Sequence, residues 1–421
     1  MGRDGWMSAE TIGERELADA WVYLLSRVLV DRQEKVDLAE EGVDYNVIKY
    51  NPLGSAEFVN PNLDVAYLEA WIAVDEQTSV VLHVPRIEGL YYTAQILDEW
   101  GEVITNINER LYPETPFGDF VLHAPGASIP DGIGTPIELH AKKAKLLGRV
   151  EIAGDPDRAT RLQQEFTLRP LGTPQIEAPS DLPPFSDESL PGVDVFRVAA
   201  KLLEVPDPAG LPEMQDLVRR VARSVRSSPG AAAEMDRLLN TSIIPQFERD
   251  AVSKPGVFEN GWMGIVTCGH YGDDWLVRTC ANRVGLWANE VDEVIYYVGS
   301  FDGAGAPLDG GLSCSLHFPA DSLPEDQCDA YWSITLLSVP DYRVMPNALQ
   351  RYNLNSYSPL VKEPDGSLRI DIGPVPQEGR PEANWLPTRA GAVFSLTLRN
   401  YRPTAGSRHP IWMPPPVVAQ L

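Results

Sequence analysis

VAYLEAWIAV (65–74), SVVLHVP (79–85), LYYTAQIL (90–97), GEVITNI (101–107), DFVLHAP (119–125), TPIELHA (135–141) and AKLLGRVEIA (144–153) follow one another with proline or glycine at most of the joints. Runs this short, β-branched and closely spaced read as strands. No helix separates them, so they cannot build a parallel βαβ sheet, and an antiparallel β-sandwich over residues 41–168 is expected.

Working outward, DPDRATRLQQEF (155–166) opens with Asp155 as N-cap and Pro156 in the first turn, the signature of a short closing helix. Residues 169–192 are proline-rich and lack periodicity, which marks a linker. From 193 to 290 the stretches VDVFRVAAKLLEV, LPEMQDLVRRVARSV, AAAEMDRLLNTSIIPQFERD and DDWLVRTCANRVGLWANE have helical spacing. The pattern returns to strands in VIYYVGSFD, LSCSLHF, AYWSITLLS, SLRIDIG and AVFSLTLRNY, so a second β-sandwich is expected over 291–421. Residues 1–40 form a separate helical segment. Leu17, Trp21, Leu24, Leu25, Val28 and Leu29 predict one amphipathic helix packed on a domain, with Thr11 and Glu14 as its capping box.

The chain has 421 residues, 60 acidic against 35 basic, for a net charge of −25. Such a surface repels phosphate backbones and anionic lipid, which argues against nucleic acid and membrane partners. The acidic residues before the first apolar run, and Arg27 within it, disqualify that run as signal peptide or membrane span. Cys268, Cys280, Cys314 and Cys328 show no CxxC spacing, and reduced thiols in the cytoplasm are the simpler inference.

Several stretches together carry a family resemblance. NPNLDVAYLEAWIAVD (60–75), VVLHVPRIEGLYYTAQILDEWGEV (80–103), GDFVLHAPG (118–126) and LLGRVEIAGDPD (146–157) resemble the domain of unknown function 1254. GWMGIVTCGHYGDDWLVRTCANRVGLWANE (261–290), DGAGAPLDG (302–310), LPEDQCDAYWSITLLS (323–338), RYNLNSYSPLV (351–361), DGSLRIDIG (365–373), NWLPTRAGAVFSLTLRNYRP (384–403) and WMPPPVV (412–418) resemble the domain of unknown function 1214. The resemblance implies an immunoglobulin-like β-sandwich first, helices in the middle and a jelly-roll-like β-sandwich last. The family motif Asn-Arg-Asp-Thr-Leu-Tyr stands here as Asn62, Leu63, Asp64, Val65, Ala66 and Tyr67, which keeps three polar groups and loses a basic and a hydroxyl group.

Asn62, Asp64 and Tyr67 place a carboxylate beside an amide and a phenol, a set able to act as base, orienter and acid in proton transfer. The same residues can instead satisfy a turn. Asp98 lies among Tyr91, Tyr92, Gln95 and Trp100, surroundings that raise a carboxylate pKa, and it can equally close a hairpin end. Trp262, Arg278, Trp332, Tyr352, Asn384 and Trp385 are candidates for a substrate pocket at the domain junction, with core packing as the alternative. His83, His123 and His140 sit on separate strands without HxH or HExxH spacing, so no metal is expected. His270 with Asp273 and Asp274 reads as a helix start, and Asp302 to Asp309 as a glycine-rich turn rather than a calcium loop.

No GxSxG elbow, P-loop or GxGxxG appears, and no cofactor is expected. The function these residues favour is cofactor-independent acid–base chemistry, as a hydrolase or hydro-lyase, on a small organic molecule. The competing expectation is a non-catalytic carbohydrate- or protein-binding β-sandwich protein, and either is compatible with a homo-oligomer.

Overall fold

The computed structural model describes residues 12–54, 60–186, 188–339, 342–408 and 411–420. Among these residues nineteen strands in four sheets make it mainly β. The first sandwich packs a five-stranded antiparallel sheet, in the order Lys49–Tyr50, Val65–Ala73, Lys143–Glu151, Tyr92–Leu97, Val103–Ile107, on a four-stranded one. The latter runs Thr135–Glu138, Gly118–His123, Val80–Val84, Thr167–Pro170, its first two strands parallel. Leu68, Ile72, Leu82, Ile96, Phe120, Leu146 and Val150 fill the space between them. Asp155 caps the helix Pro156–Glu165 by accepting from the Arg158 N–H over 2.9 Å.

The second sandwich pairs a six-stranded sheet with a four-stranded one. The larger runs Gly256–Glu259, Trp262–Ile265, Val294–Gly299, Phe394–Tyr401, Trp332–Ser338, Asn353–Asn355, and the smaller Trp385–Pro387, Leu368–Gly373, Cys314–Phe318, Val417–Ala419. Its first hairpin corrects the helical reading of residues 193–290. Glu259 pairs with Trp262 around Asn260 and Gly261, both at positive φ (55° and 84°), the two-residue turn that an Asn-Gly pair favours. At Gly261 a Cβ would also lie 2.2 Å from the Phe301 carbonyl oxygen.

The N-terminal helix, Glu14–Asp37, is buried on every side from Ala20 to Asp31, more enclosed than the amphipathic helix packed on a domain that its spacing suggested. Thr11 lies outside the described residues, and the helix start is tied by the Gly13 N–H to Glu16, 3.0 Å. One side of the helix packs on Pro212–Ser227, Pro229–Leu238 and Trp275–Gly285. The other side carries Arg27, Asp31 and Glu34 at helical spacing toward the first sandwich. Arg27 pairs with Glu99 (2.9 Å) and Glu34 with Lys143 (2.8 Å), while Asp37 pairs with Lys145 (2.8 Å). Ser26 and Asn282 both bond the Trp100 carbonyl, at 2.9 Å each. Beside it Gly101, at φ 86°, leaves room for the Asn282 amide, which a Cβ would meet at 2.4 Å. Among the described residues no helix is long and apolar enough to cross a membrane.

Candidate active site at the seam of the two sandwiches

The five-stranded sheet buries apolar side chains on one face and an unusually polar set on the other. Alternation along Lys143–Glu151 sends Ala144, Leu146 and Val150 into the sandwich and Lys143, Lys145, Arg149 and Glu151 outward. Those outward charges are nevertheless 8% exposed or less, because the N-terminal helix covers one end of the face and the second sandwich the other.

Asn62 and Asp64 lie at that second contact. Asn62 Oδ1 accepts from the Asp64 N–H over 2.8 Å, which is the turn-forming bond, and its Nδ2 reaches across to the hydroxyls of Tyr331 (3.3 Å) and Tyr401. Asp64 Oδ1 accepts from Asn353 Nδ2 (2.7 Å) and Asn355 Nδ2 (2.6 Å), so its carboxylate is held largely by the other sandwich. Its second oxygen is buried, and the Ser333 hydroxyl on the facing strand lies near enough to act on the carboxyl.

Glu151 is the cross-strand partner of Val65, next to Asp64 in the chain. Its Oε2 accepts from the Tyr91 N–H (2.7 Å), and its Oε1 from the hydroxyl of Tyr357. Burial pushes both carboxyls above the usual carboxylate range. Asn355, Ser333, Asn353 and the Arg399 guanidinium oppose the rise at Asp64; Tyr357 and the Tyr91 N–H oppose it at Glu151, where the Asp64 charge adds to it. Around them Tyr331 and Tyr401 stack at 4.3 Å, with Tyr91 5.2 Å from Tyr401, all three phenols raised mainly by burial. Tyr357 is 45% exposed and closes the seam on the solvent side.

Tyr67 stands on the same strand face as Val65, with Arg149 opposite it in register and 5.6 Å from its ring. Asp98 is elsewhere, at the far end of the strand Tyr92–Leu97. It caps a tight turn by accepting from the N–H groups of Trp100 (2.8 Å) and Glu102 (2.9 Å), and its other oxygen meets His140 at 2.7 Å.

The six candidates for a substrate pocket are not brought together. Trp262 and Trp332 fill the core of the second sandwich, the Trp262 indole donating to the Pro415 carbonyl. Arg278 is buried in the helical layer, bidentate to Asp207 at 2.9 and 3.0 Å. Asn384 fastens a loop through Val361 and the Arg369 carbonyl, and the Trp385 indole donates to the Gly373 carbonyl. Tyr352 is half-buried, its carbonyl paired to Leu336.

His83 and His123 stand on strands, His140 in the bend after Thr135–Glu138 rather than on a strand as expected, and they take separate partners: His83 with Asp119, His123 with the Ala124 carbonyl, His140 with Asp98. Asp274 caps the helix Trp275–Gly285 through the Val277 N–H, and Asp302 closes its turn onto Ala304 and Ala306. Among the described residues no group of three histidine, cysteine, aspartate or glutamate side chains is arranged to hold a metal.

Glu151, Arg149, Tyr331, Asn353, Asn355, Tyr357 and Tyr401 were not singled out as site residues from the sequence for the acid–base role they surround. Two signals were available: Lys145, Arg149 and Glu151 alternate with apolar residues in LGRVEIA and its approach, and Asn353 and Asn355 flank a buried leucine.

Comparison with known proteins matches these two bodies to two family models. "Protein of unknown function (DUF1254)" covers residues 45–170 and "Protein of unknown function (DUF1214)" covers 293–405. The chain belongs to the family that joins these two domains. Asn62, Asp64, Tyr91 and Glu151 fall in the DUF1254 domain, and Tyr331, Asn353, Asn355, Tyr357 and Tyr401 in the DUF1214 domain.

No curated protein matches the chain. Among solved structures, the VPA0106 protein from Vibrio parahaemolyticus is similar at 16% identity and a TM-score of 0.65, over 97% of this chain and 100% of that one. An uncharacterized protein from Burkholderia cenocepacia is similar at 14% identity and a TM-score of 0.46, over 96% and 88%. The first likeness shows that the fold extends over both domains and the helices between them.

Proposed function

We propose that the seam between the DUF1254 and DUF1214 domains is the reaction site of an enzyme that transfers protons on a small organic molecule, as a hydrolase or hydro-lyase. The observation that carries this reading is the pair Asp64 and Glu151. Two adjacent buried carboxyls with raised pKa values favour a state in which one is protonated and the other ionised. The ionised member takes a proton from water or from substrate carbon, and the protonated member delivers one to the departing oxygen. Tyr331 and Tyr401 wall the site, and Tyr357 must turn away from Glu151 to admit a substrate. The chemistry needs only groups that this chain supplies.

The reading treats the first sandwich as immunoglobulin-like and the second as jelly-roll-like, since each has two mostly antiparallel sheets packed face to face around one core. It also places the protein in a reducing compartment, because Cys268, Cys280, Cys314 and Cys328 are all unpaired.

The test is untargeted metabolite profiling of a small-molecule extract incubated with wild type, Asp64→Asn or Glu151→Gln. Consumption of a compound by wild type, reduced about 100-fold or more in both folded variants, is expected. Consumption by neither protein, or undiminished turnover in either folded variant, contradicts the assignment and returns the pair to a purely structural role.

A further inference from the structure

Arg149 is 5% exposed, and among the described residues no carboxylate lies within ion-pair distance of it. A guanidinium offers five N–H donors. Here one bond goes to Gln95 Oε1 (2.5 Å) and one to the Trp287 carbonyl (3.1 Å). The phenols of Tyr67, Tyr296, Tyr401 and Tyr91, contributed by both domains, lie around it. By contrast, its strand neighbours Lys143 and Lys145 each have carboxylates, Glu34 for the first and Asp37 with Glu69 for the second. A buried cation costs several kcal/mol unless a counter-charge accompanies it. In a chain with 60 acidic residues, leaving this cation alone among tyrosines marks a place prepared for an anion from outside.

The surroundings narrow the kind of anion. Tyr67, Trp287 and Tyr296 around it are only partly buried. Leu97, Val103 and Leu147 form an apolar cluster against which Tyr67 and Trp287 pack. Arg149 and Glu151 are two residues apart on one strand face, about 7 Å.

We infer that Arg149 holds the carboxylate of a small monoanionic substrate whose apolar part lies against Leu147 and Trp287. A planar fork suits a carboxylate, and one guanidinium balances one negative charge, which disfavours a phosphate dianion. This inference rests on the seam being the reaction site, but its test is binding and needs no turnover.

Hexanoate, benzoate and phenylacetate, each beside its amide, and inorganic phosphate are titrated by ligand-observed NMR into wild type, Arg149→Met, Arg149→Lys and Glu151→Gln. At least one carboxylate is expected to bind wild type about tenfold or more tightly than its amide and than phosphate. Arg149→Met erases that preference and Arg149→Lys reduces it, while Glu151→Gln keeps it within about threefold. Arg149→Lys decides the matter should Arg149→Met fail to fold. No carboxylate exceeding its amide, or a preference undiminished in the Arg149 variants, overturns the inference. Carboxylate binding as described, combined with full turnover in Glu151→Gln, rejects the acid–base assignment alone.

Discussion

Asn355 donates to Asp64 over 2.6 Å, joining two residues 291 positions apart in the chain and two sandwiches that each have a complete core of their own. A buried carboxylate that depends on another domain for its donors makes domain docking and the state of that carboxylate one problem.

Removing those donors therefore loosens the seam. Asn353→Leu with Asn355→Leu leaves Asp64 Oδ1 without both of its side-chain donors, and each hydrogen bond to a charged group contributes about 1.5–3 kcal/mol. The double variant is expected to lose roughly 2–4 kcal/mol in urea denaturation, less than the sum because the two bonds share one acceptor. An unchanged midpoint contradicts the docking role.

Arg278 makes a contrasting prediction, of stability. It is fully buried between Asp207, which also accepts from Tyr23 over 2.7 Å, and Trp100, whose ring lies 4.8 Å beneath it. Asp207→Ala leaves the buried guanidinium with Glu102 alone, at 3.7 Å, at a cost of about 3–5 kcal/mol in chemical denaturation. A loss below about 1 kcal/mol would show that the pair is not desolvated. The structural work assigned to Arg278 explains why it does not join a substrate pocket.

A third prediction concerns pH. Burial raises Glu102 to about 7, opposed by the Tyr271 N–H and Arg278, and raises Glu99 to about 7 against Arg27 and Lys143. A carboxyl with a raised folded-state pKa contributes stability that is present below its unfolded pKa, about 4.5, and is lost as pH climbs through 7. His140 and His270 are also raised, by the hydrogen bonds they donate to Asp98 and Glu290, and act with the same sign above their unfolded value. Thermal stability should fall between pH 5 and pH 8, and Glu102→Gln should flatten that slope by the equivalent of about 3 kcal/mol. Parallel profiles for wild type and variant contradict the assignment.

What the sequence disclosed depended on the range of the interaction. Asp155, Asp274 and the strand alternation of Tyr92, Ala94 and Ile96 are local, and each stands as its spacing indicates. Asn62 and Asp64 were legible because three polar groups cluster within six residues. Arg149 and Glu151 were not, since charges alternating on a strand ordinarily mark a solvent face, and only the docking of another domain buries them. Tyr331 and Tyr401 meet Asn62, and Asn355 meets Asp64, from more than 250 residues away, where no spacing rule reaches. Trp262 and Trp332 misled in the other direction, because a large aromatic ring serves a core as readily as a pocket. The helix of residues 14–37 looked amphipathic because its second face is polar, and that face binds Lys143 and Lys145 rather than water.

The account rests on Asp64 and Glu151 titrating as interacting neighbours at the seam. Carboxyl-carbon NMR titration of wild type and Asp64→Asn measures this directly, with no substrate needed. The account predicts a Glu151 pKa above the ordinary 4.5 in wild type and a distinct fall in Asp64→Asn, where the neighbouring charge is gone. A Glu151 that titrates at or below 4.5, or whose pKa is the same in both proteins, would contradict it.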